Sequence, residues 1–247
     1  MKKRSGIRAH KCACEIQWPR SDSPLIPHPS SFTLTRGACS RNNYELPTMR
    51  AADAGRALME TTLEVEVKLA CDDLNRLRDA GLKLALARPR HFEDNWLLDS
   101  SEHTLFNQGA ALRIRSVDGK GWVTYKGVVR ESAGSPLKIR EEIETETSEP
   151  ERMTELFERL GFHRTFRYQK YRTTYDLALD DHELEVAFDE TPMGNFIEIE
   201  GDEKRVLRVL EISGFSTEDV IRESYPELQA SRCKARGIPL EDLVFTR

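Results

Sequence analysis

The sequence predicts an α+β fold built on a closed, eight-stranded antiparallel β tunnel, with helices packed on its outside. Three observations predict it. Eight stretches alternate apolar and polar residues with a period of two, which is the period of a strand with unlike faces. Few helical stretches intervene between them. The polar faces, finally, carry like charges two residues apart, which water-facing strands rarely concentrate so consistently.

The elements follow in chain order. Residues 62–70 open the domain as a strand, with Leu63, Val65, Val67 and Leu69 on one face and Glu64, Glu66 and Lys68 on the other. A helix is expected over 72–80, then strands over 89–98, 110–117, 121–127 and 137–147. Ser148 reads as the N-cap of a helix over 150–160, with Glu151 completing a capping box, Pro150 in the first turn and Gly161 at the end. Its Met153, Leu156, Phe157 and Leu160 form one apolar stripe suited to packing on a sheet. Strands over 165–177, 182–189 and 195–201 and helices over 203–213 and 217–223 complete the domain.

Residues 1–58 stand apart. They hold five of the eleven prolines and 10 Lys/Arg against 4 Asp/Glu, with no sustained period, and read as a disordered extension ahead of a domain over 59–247. An over-extended start, with Met59 beginning the native protein, is the preferred reading. Cys12 and Cys14 lack the further ligand spacing of a zinc site. The body carries a net charge of −11, which argues against a broad nucleic-acid-binding surface. No apolar run approaches the roughly 18 residues of a membrane span, and the two body cysteines, Cys71 and Cys233, fit a reducing cytoplasm. The sequence leaves oligomeric state open, a homodimer included.

The charged faces carry the chemistry. Glu64/Glu66, Arg113/Arg115, Glu142/Glu144, Lys170/Arg172 and Glu198/Glu200 are like-charged pairs on shared faces. Two like charges about 7 Å apart cost roughly 2 kcal/mol at an effective dielectric near 20. Closing the sheet with these faces inward lets the pairs compensate one another and a ligand. A bore lined by Lys68, Arg113, Arg115, Lys126, Arg140, Lys170 and Arg172 suits an elongated, highly anionic molecule. Paired carboxylates on neighbouring strands suit a hard divalent cation, Mg²⁺ or Mn²⁺. A cation beside an Arg/Lys cluster is what phosphoryl transfer requires. No Walker-type loop, HExxH or EF-hand pattern is present.

Glu64-x-Glu66-x-Lys68 resembles the ExExK signature of the CYTH superfamily, the triphosphate tunnel metalloenzymes. Arg113-x-Arg115, Lys126, Arg140-x-Glu142-x-Glu144, Lys170-x-Arg172, Asp189 and Glu198-x-Glu200 follow in the family's order, over about residues 62–228. The resemblance implies an eight-stranded tunnel that holds a triphosphate such as ATP, tripolyphosphate or thiamine triphosphate. It implies phosphate contacts from the seven basic residues and metal ligation by Glu64, Glu66, Glu198 and Glu200, with Glu142, Glu144 and Asp189 as further ligands. Lys68 and Asp189 take catalytic roles on this reading. The family's Asp-x-Tyr-(Phe/Tyr)-Asp segment is matched to EDNWLLD through Asp94, Trp96 and Asp99. Trp96 can be neither acid nor base. ESYPEL at 223–228 and GNFIEIEG resemble the class IV adenylate cyclase branch, so cyclisation of ATP is the leading expectation. Triphosphate hydrolysis is the alternative, and a non-catalytic triphosphate sensor the second.

Overall fold

The computed structural model describes residues 62–130 and 135–246; the extension expected over 1–58 and the start expected at Met59 lie outside them. Eight long strands are present: β1 (Thr62–Ala70), β2 (Leu84–Ser100), β3 (Ala111–Val117), β4 (Lys120–Lys126), β5 (Lys138–Thr147), β6 (Phe162–Leu179), β7 (His182–Thr191) and β8 (Gly194–Glu200). They pair antiparallel in the order β5-β4-β3-β2-β6-β7-β8-β1, and β1 pairs again with β5, so the sheet closes on itself. A two-residue strand, β9 (Val220–Ile221), takes the β1 edge at Lys68 and Leu69, beyond the point where β5 leaves it.

Tight turns fix the register of two hairpins. Asp118 and Gly119 join β3 to β4 with φ of 50° and 82°, and Asp180 and Asp181 join β6 to β7 with φ of 52° and 60°. Positive φ at both central residues gives the turn the twist that flanking strands demand. Gly201 ends β8 where a Cβ would sit 2.2 Å from Leu184 Cδ2, so no larger residue fits there without displacing the core.

The apolar faces point outward and are covered. α1 (Asn75–Asp79) and α4 (Glu203–Ile212) close over Val67, Leu69, Val186, Ile197 and Ile199 through Leu77, Val206, Val209 and Leu210. α4 starts where the Asp202 side chain accepts from the Arg205 amide. α3 (Pro150–Arg159) covers Leu98, Leu112, Ile114 and Val123 with Met153 and Phe157. Leu156 and Leu160 of the expected stripe are exposed instead. The expected Ser148 cap is replaced by Glu149, which makes no side-chain cap, and Glu151 pairs with Arg164 at 2.5 Å rather than closing a capping box. Glu149, before Pro150, leaves the helical region at φ −131° and ψ 71°, so the cap falls on it while the helix starts at Pro150 as expected.

Two stretches depart from expectation. α2 (Thr104–Asn107) is a single turn whose Leu105 and Phe106 amides donate to the Asp99 carboxylate. In place of a helix over 217–223 there is a 3₁₀ turn at Thr217–Asp219, then β9, then α5 (Tyr225–Ala235). Ser224 and Glu227 form a capping box at its start, and its buried side chains are Tyr225, Gln229 and Cys233. With the C-terminal segment, in which Leu243 exchanges backbone hydrogen bonds with Arg167 and Gln169, α5 closes on Phe166, Tyr168 and Phe196. No helix among the described residues is long and apolar enough to cross a membrane.

Candidate active site

Strand register sends one parity of each strand into the barrel. Glu66 stands opposite Glu200 and Lys138, Lys68 opposite Glu198, Arg172 opposite Asp189, and Lys126 opposite Glu142. A cavity of about 640 Å³ runs among these side chains. All the sequence-predicted site residues line it except Asp189, which is 0 % exposed beneath the cavity wall.

The charges inside form three linked groups. In the first, Asp189 accepts from Lys170 at 2.9 Å, from Arg172 at 2.6 and 2.7 Å, and from the Tyr225 hydroxyl at 2.7 Å. Arg172 also pairs with Glu198, which lies 3.3 Å from Lys68. Lys68 donates to the Glu223 carbonyl at 3.1 Å and sits 4.3 Å above the Tyr225 ring. Burial opposes ionisation of the Tyr225 phenol and, with Asp189 alongside, pushes it well above its ordinary range.

In the second group, Glu64 binds Lys126 at 2.6 Å and Arg140 at 2.9 Å. Burial alone would raise Glu64, but Lys126 and Arg140 outweigh it and hold the carboxyl well below the usual range. Lys126 also reaches Glu142, Arg140 reaches Glu66 at 3.3 Å, and Lys138 lies 3.8 Å from Glu66. Burial and the adjacent Arg140 bring the Lys138 ammonium down to about 8.

In the third group, Glu144 gathers Arg113 at 3.3 Å, Arg115 at 3.0 Å and the Thr124 hydroxyl at 2.6 Å. Arg115 also lies 3.5 Å from Glu93, which joins this group to Lys170 at 3.5 Å.

Several site residues escaped the sequence reading. On β2 the inward parity holds His91, Glu93, Asn95 and Leu97, as shown by Glu93 opposite Lys170 and Asn95 opposite Arg115. Asp94 and Trp96, matched to the family's second-strand segment, therefore face outward. Asp94 binds Arg167 at 2.8 and 2.7 Å, and the Arg164 and Arg167 guanidinium groups lie 4.8 and 5.3 Å from the Trp96 ring. Asp99 holds the α2 amides. Asp94 interrupts the apolar parity of Phe92 and Trp96, which blurs the alternation over this stretch. Tyr225 had a usable signal, the S-x-x-E capping box just ahead of it.

The lining of this cavity includes residues of α2 and α5. Leu97, Phe106, Ala111 and Val129 line the same cavity, as do Pro226 and Ala230 of α5.

Among the described residues no three His, Cys, Asp or Glu side chains are drawn together as a metal centre. The donor set nevertheless fits a hard cation. Glu200, at the tunnel rim, has no ion pair among the described residues, and the wall around it together with Glu64, Glu185 and Glu66 pushes its carboxyl up to about 8. A carboxyl kept protonated by neighbouring carboxylates is where a divalent cation relieves most repulsion.

The family model for the CYTH domain matches residues 62–225. A protein of Methanocaldococcus jannaschii, provisionally named an adenylate cyclase, is 30% identical over 179 residues, covering 68% of this chain and 98% of that protein. Among solved structures, a Pyrococcus horikoshii OT3 protein superposes with a TM-score of 0.54 at 25% identity, covering 68% of this chain and 99% of its own. A provisionally named adenylate cyclase from Vibrio parahaemolyticus gives 0.55 at 19% identity, with coverage of 68% and 98%, a likeness of fold alone.

Proposed function

The chain belongs to the CYTH domain family, and we propose that it is a divalent-metal-dependent adenylate cyclase, converting ATP to cyclic AMP and pyrophosphate within the tunnel. The observation that carries this reading is the single cavity lined both by the cations and by the apolar Leu97, Phe106 and Val129. Inorganic tripolyphosphate has no use for Leu97, Phe106 and Val129, whereas a nucleoside carrying a triphosphate matches both. The name of the Methanocaldococcus jannaschii relative supports the same reaction.

In this reading the triphosphate is gripped from four strands. Arg113 and Arg115 reach it from β3, Lys126 from β4, Arg140 from β5, and Lys170 and Arg172 from β6. Arg suits two-point phosphate contacts, and Lys supplies a mobile point charge. When bound, Mg²⁺ or Mn²⁺ supplies charge neutralisation at the phosphate oxygens, and Glu64, Glu66, Glu198 and Glu200 would hold it. Asp189 orients Lys170, Arg172 and Tyr225 from behind the wall. Lys68, fixed by Glu198 and the Glu223 carbonyl, addresses the phosphate or the attacking hydroxyl. Attack of the ribose 3′ oxygen forms the bond to the α-phosphorus, breaks the bond to the bridging oxygen, and releases pyrophosphate and one proton. The free thiols Cys71 and Cys233 agree with a reducing, cytoplasmic setting.

The test is incubation of the full chain with ATP or tripolyphosphate and Mg²⁺ or Mn²⁺, with products separated by chromatography. Cyclic AMP with equimolar pyrophosphate is expected. Orthophosphate without cyclic AMP would make the protein a triphosphatase, and saturable binding without turnover would make it a sensor.

A further inference from the structure

Glu93 belongs to none of the charged motifs, yet it sits at the centre of the basic cluster. It is 1 % exposed, and it stands between Arg115 on β3 and Lys170 on β6, 3.5 Å from each. At that separation it attracts both cations without forming a tight hydrogen bond to either, and its Oε2 accepts none. The other oxygen is held by His91. That ring meets the Pro89 carbonyl at 2.9 Å through Nδ1 and Glu93 Oε1 at 3.3 Å through Nε2.

Resting on the reading of the tunnel as a triphosphate site, we propose that Glu93 is a positioning residue: a fixed internal anion that aims Arg115 and Lys170 at one phosphate locus and keeps the cluster from holding product too tightly. Three points distinguish it from the other carboxylates. Cations and His91 enclose it, so it is not available to a metal. It contacts its cations loosely, so they remain free to turn to a phosphate. Finally, it offsets real crowding, because Arg115 is depressed first by burial and then by Arg113, with Arg172 also contributing. With the Glu93 charge removed, Asp189 and Glu144 still partner the cluster, but its net positive charge rises by one and a phosphate can supply the missing anion. Tripolyphosphate and pyrophosphate then both bind more tightly. Uniformly tighter binding of substrate and product lowers KM without lowering the barrier, and slow product release lowers kcat.

Titration calorimetry of the full chain with tripolyphosphate and with pyrophosphate, at fixed ionic strength, tests this on the wild type, Glu93→Gln and Glu93→Asp. Glu93→Gln should bind both anions about tenfold more tightly, the scale of one charge-assisted contact. Glu93→Asp keeps the charge and should stay within about threefold of the wild type. With ATP, Glu93→Gln should show KM and kcat falling together. Equal or weaker anion binding by Glu93→Gln, with the wild type binding normally, would overturn the role of Glu93 and leave the triphosphate reading standing. A wild type that binds neither anion would overturn both. If Glu93→Gln is unfolded alone, the rise of its melting temperature with tripolyphosphate decides: a larger rise than in the wild type supports the role, an equal or smaller one sinks it.

Discussion

Asp189→Asn removes one buried charge and leaves its donors in place, so its effect can be worked from the contacts. The carboxylate takes Lys170 at 2.9 Å and two Arg172 nitrogens at 2.6 and 2.7 Å, with the Tyr225 hydroxyl as a fourth donor. Two unit-charge attractions at about 4 Å amount to roughly 8 kcal/mol at an effective dielectric of 20. Glu93 remains beside Lys170 and Glu198 beside Arg172, so about half of that is retained. The remainder agrees with the 3–5 kcal/mol cost, roughly, of leaving a buried partner unpaired. For a domain of this size, about 2–4 °C per kcal/mol converts this to a fall in Tm of roughly 6–20 °C. Tyr225→Phe deletes only the neutral donor and should cost about 1.5–3 kcal/mol. Thermal melts and urea titrations of both variants measure this directly. Tripolyphosphate should restore part of the loss in Asp189→Asn, because it supplies an anion to the same cations. A melting temperature within about 2 °C of the wild type would refute the placement of Asp189 as the anchor of this group.

Three further outcomes follow. Glu200 is pushed up to about 8 from 4.5, so its contribution to stability is complete below pH 4.5 and is lost as the pH rises through about 8; in Glu200→Gln that alkaline decline in melting temperature should flatten, whereas Glu64, held below its ordinary value, contributes stability that is lost on acidification. Phe106→Ala should raise KM for ATP about tenfold or more, from the lost burial of an aromatic ring, and leave tripolyphosphate affinity unchanged by calorimetry. Arg115→Ala should weaken tripolyphosphate binding about 10- to 100-fold, and an unchanged affinity would remove Arg115 from the phosphate grip.

Strand parity made much of this architecture readable in advance. A period of two assigns each residue to a face, so Glu64/Glu66 and Arg113/Arg115 announced an inward charged surface wherever the opposite parity was cleanly apolar. The contrast is weaker over His91 to Asn95, where Asp94 interrupts the apolar parity of Phe92 and Trp96, and the pairing of Glu93 with Lys170 shows which side turns in. Periodicity failed at α5, whose buried Tyr225, Gln229 and Cys233 make no apolar stripe. That helix is specified by its cap and by the open end of the barrel, and the second of these exists only after the strands have closed. The capping of α3 was misread for a local reason, the backbone restriction that Pro150 imposes on Glu149.

The internal pairing bears on how such a site binds anything at all. Each of the seven cations assigned to phosphate already has a carboxylate partner, from Lys68 with Glu198 to Arg172 with Asp189. On the proposed reading, triphosphate entry is therefore an exchange: phosphate oxygens take the cations, and the carboxylates they leave behind need a new positive partner. Such an exchange adds no desolvation cost for the cations, which were already desolvated on folding. The released Glu64, Glu66 and Glu198, joining Glu200 at the rim, acquire the free charge that a divalent cation needs. This accounts for the dispersal of the carboxylates among cations rather than in a metal centre. On the same reading metal and triphosphate binding reinforce each other, because each ligand relieves the charge imbalance that the other creates, and linkage makes that coupling reciprocal.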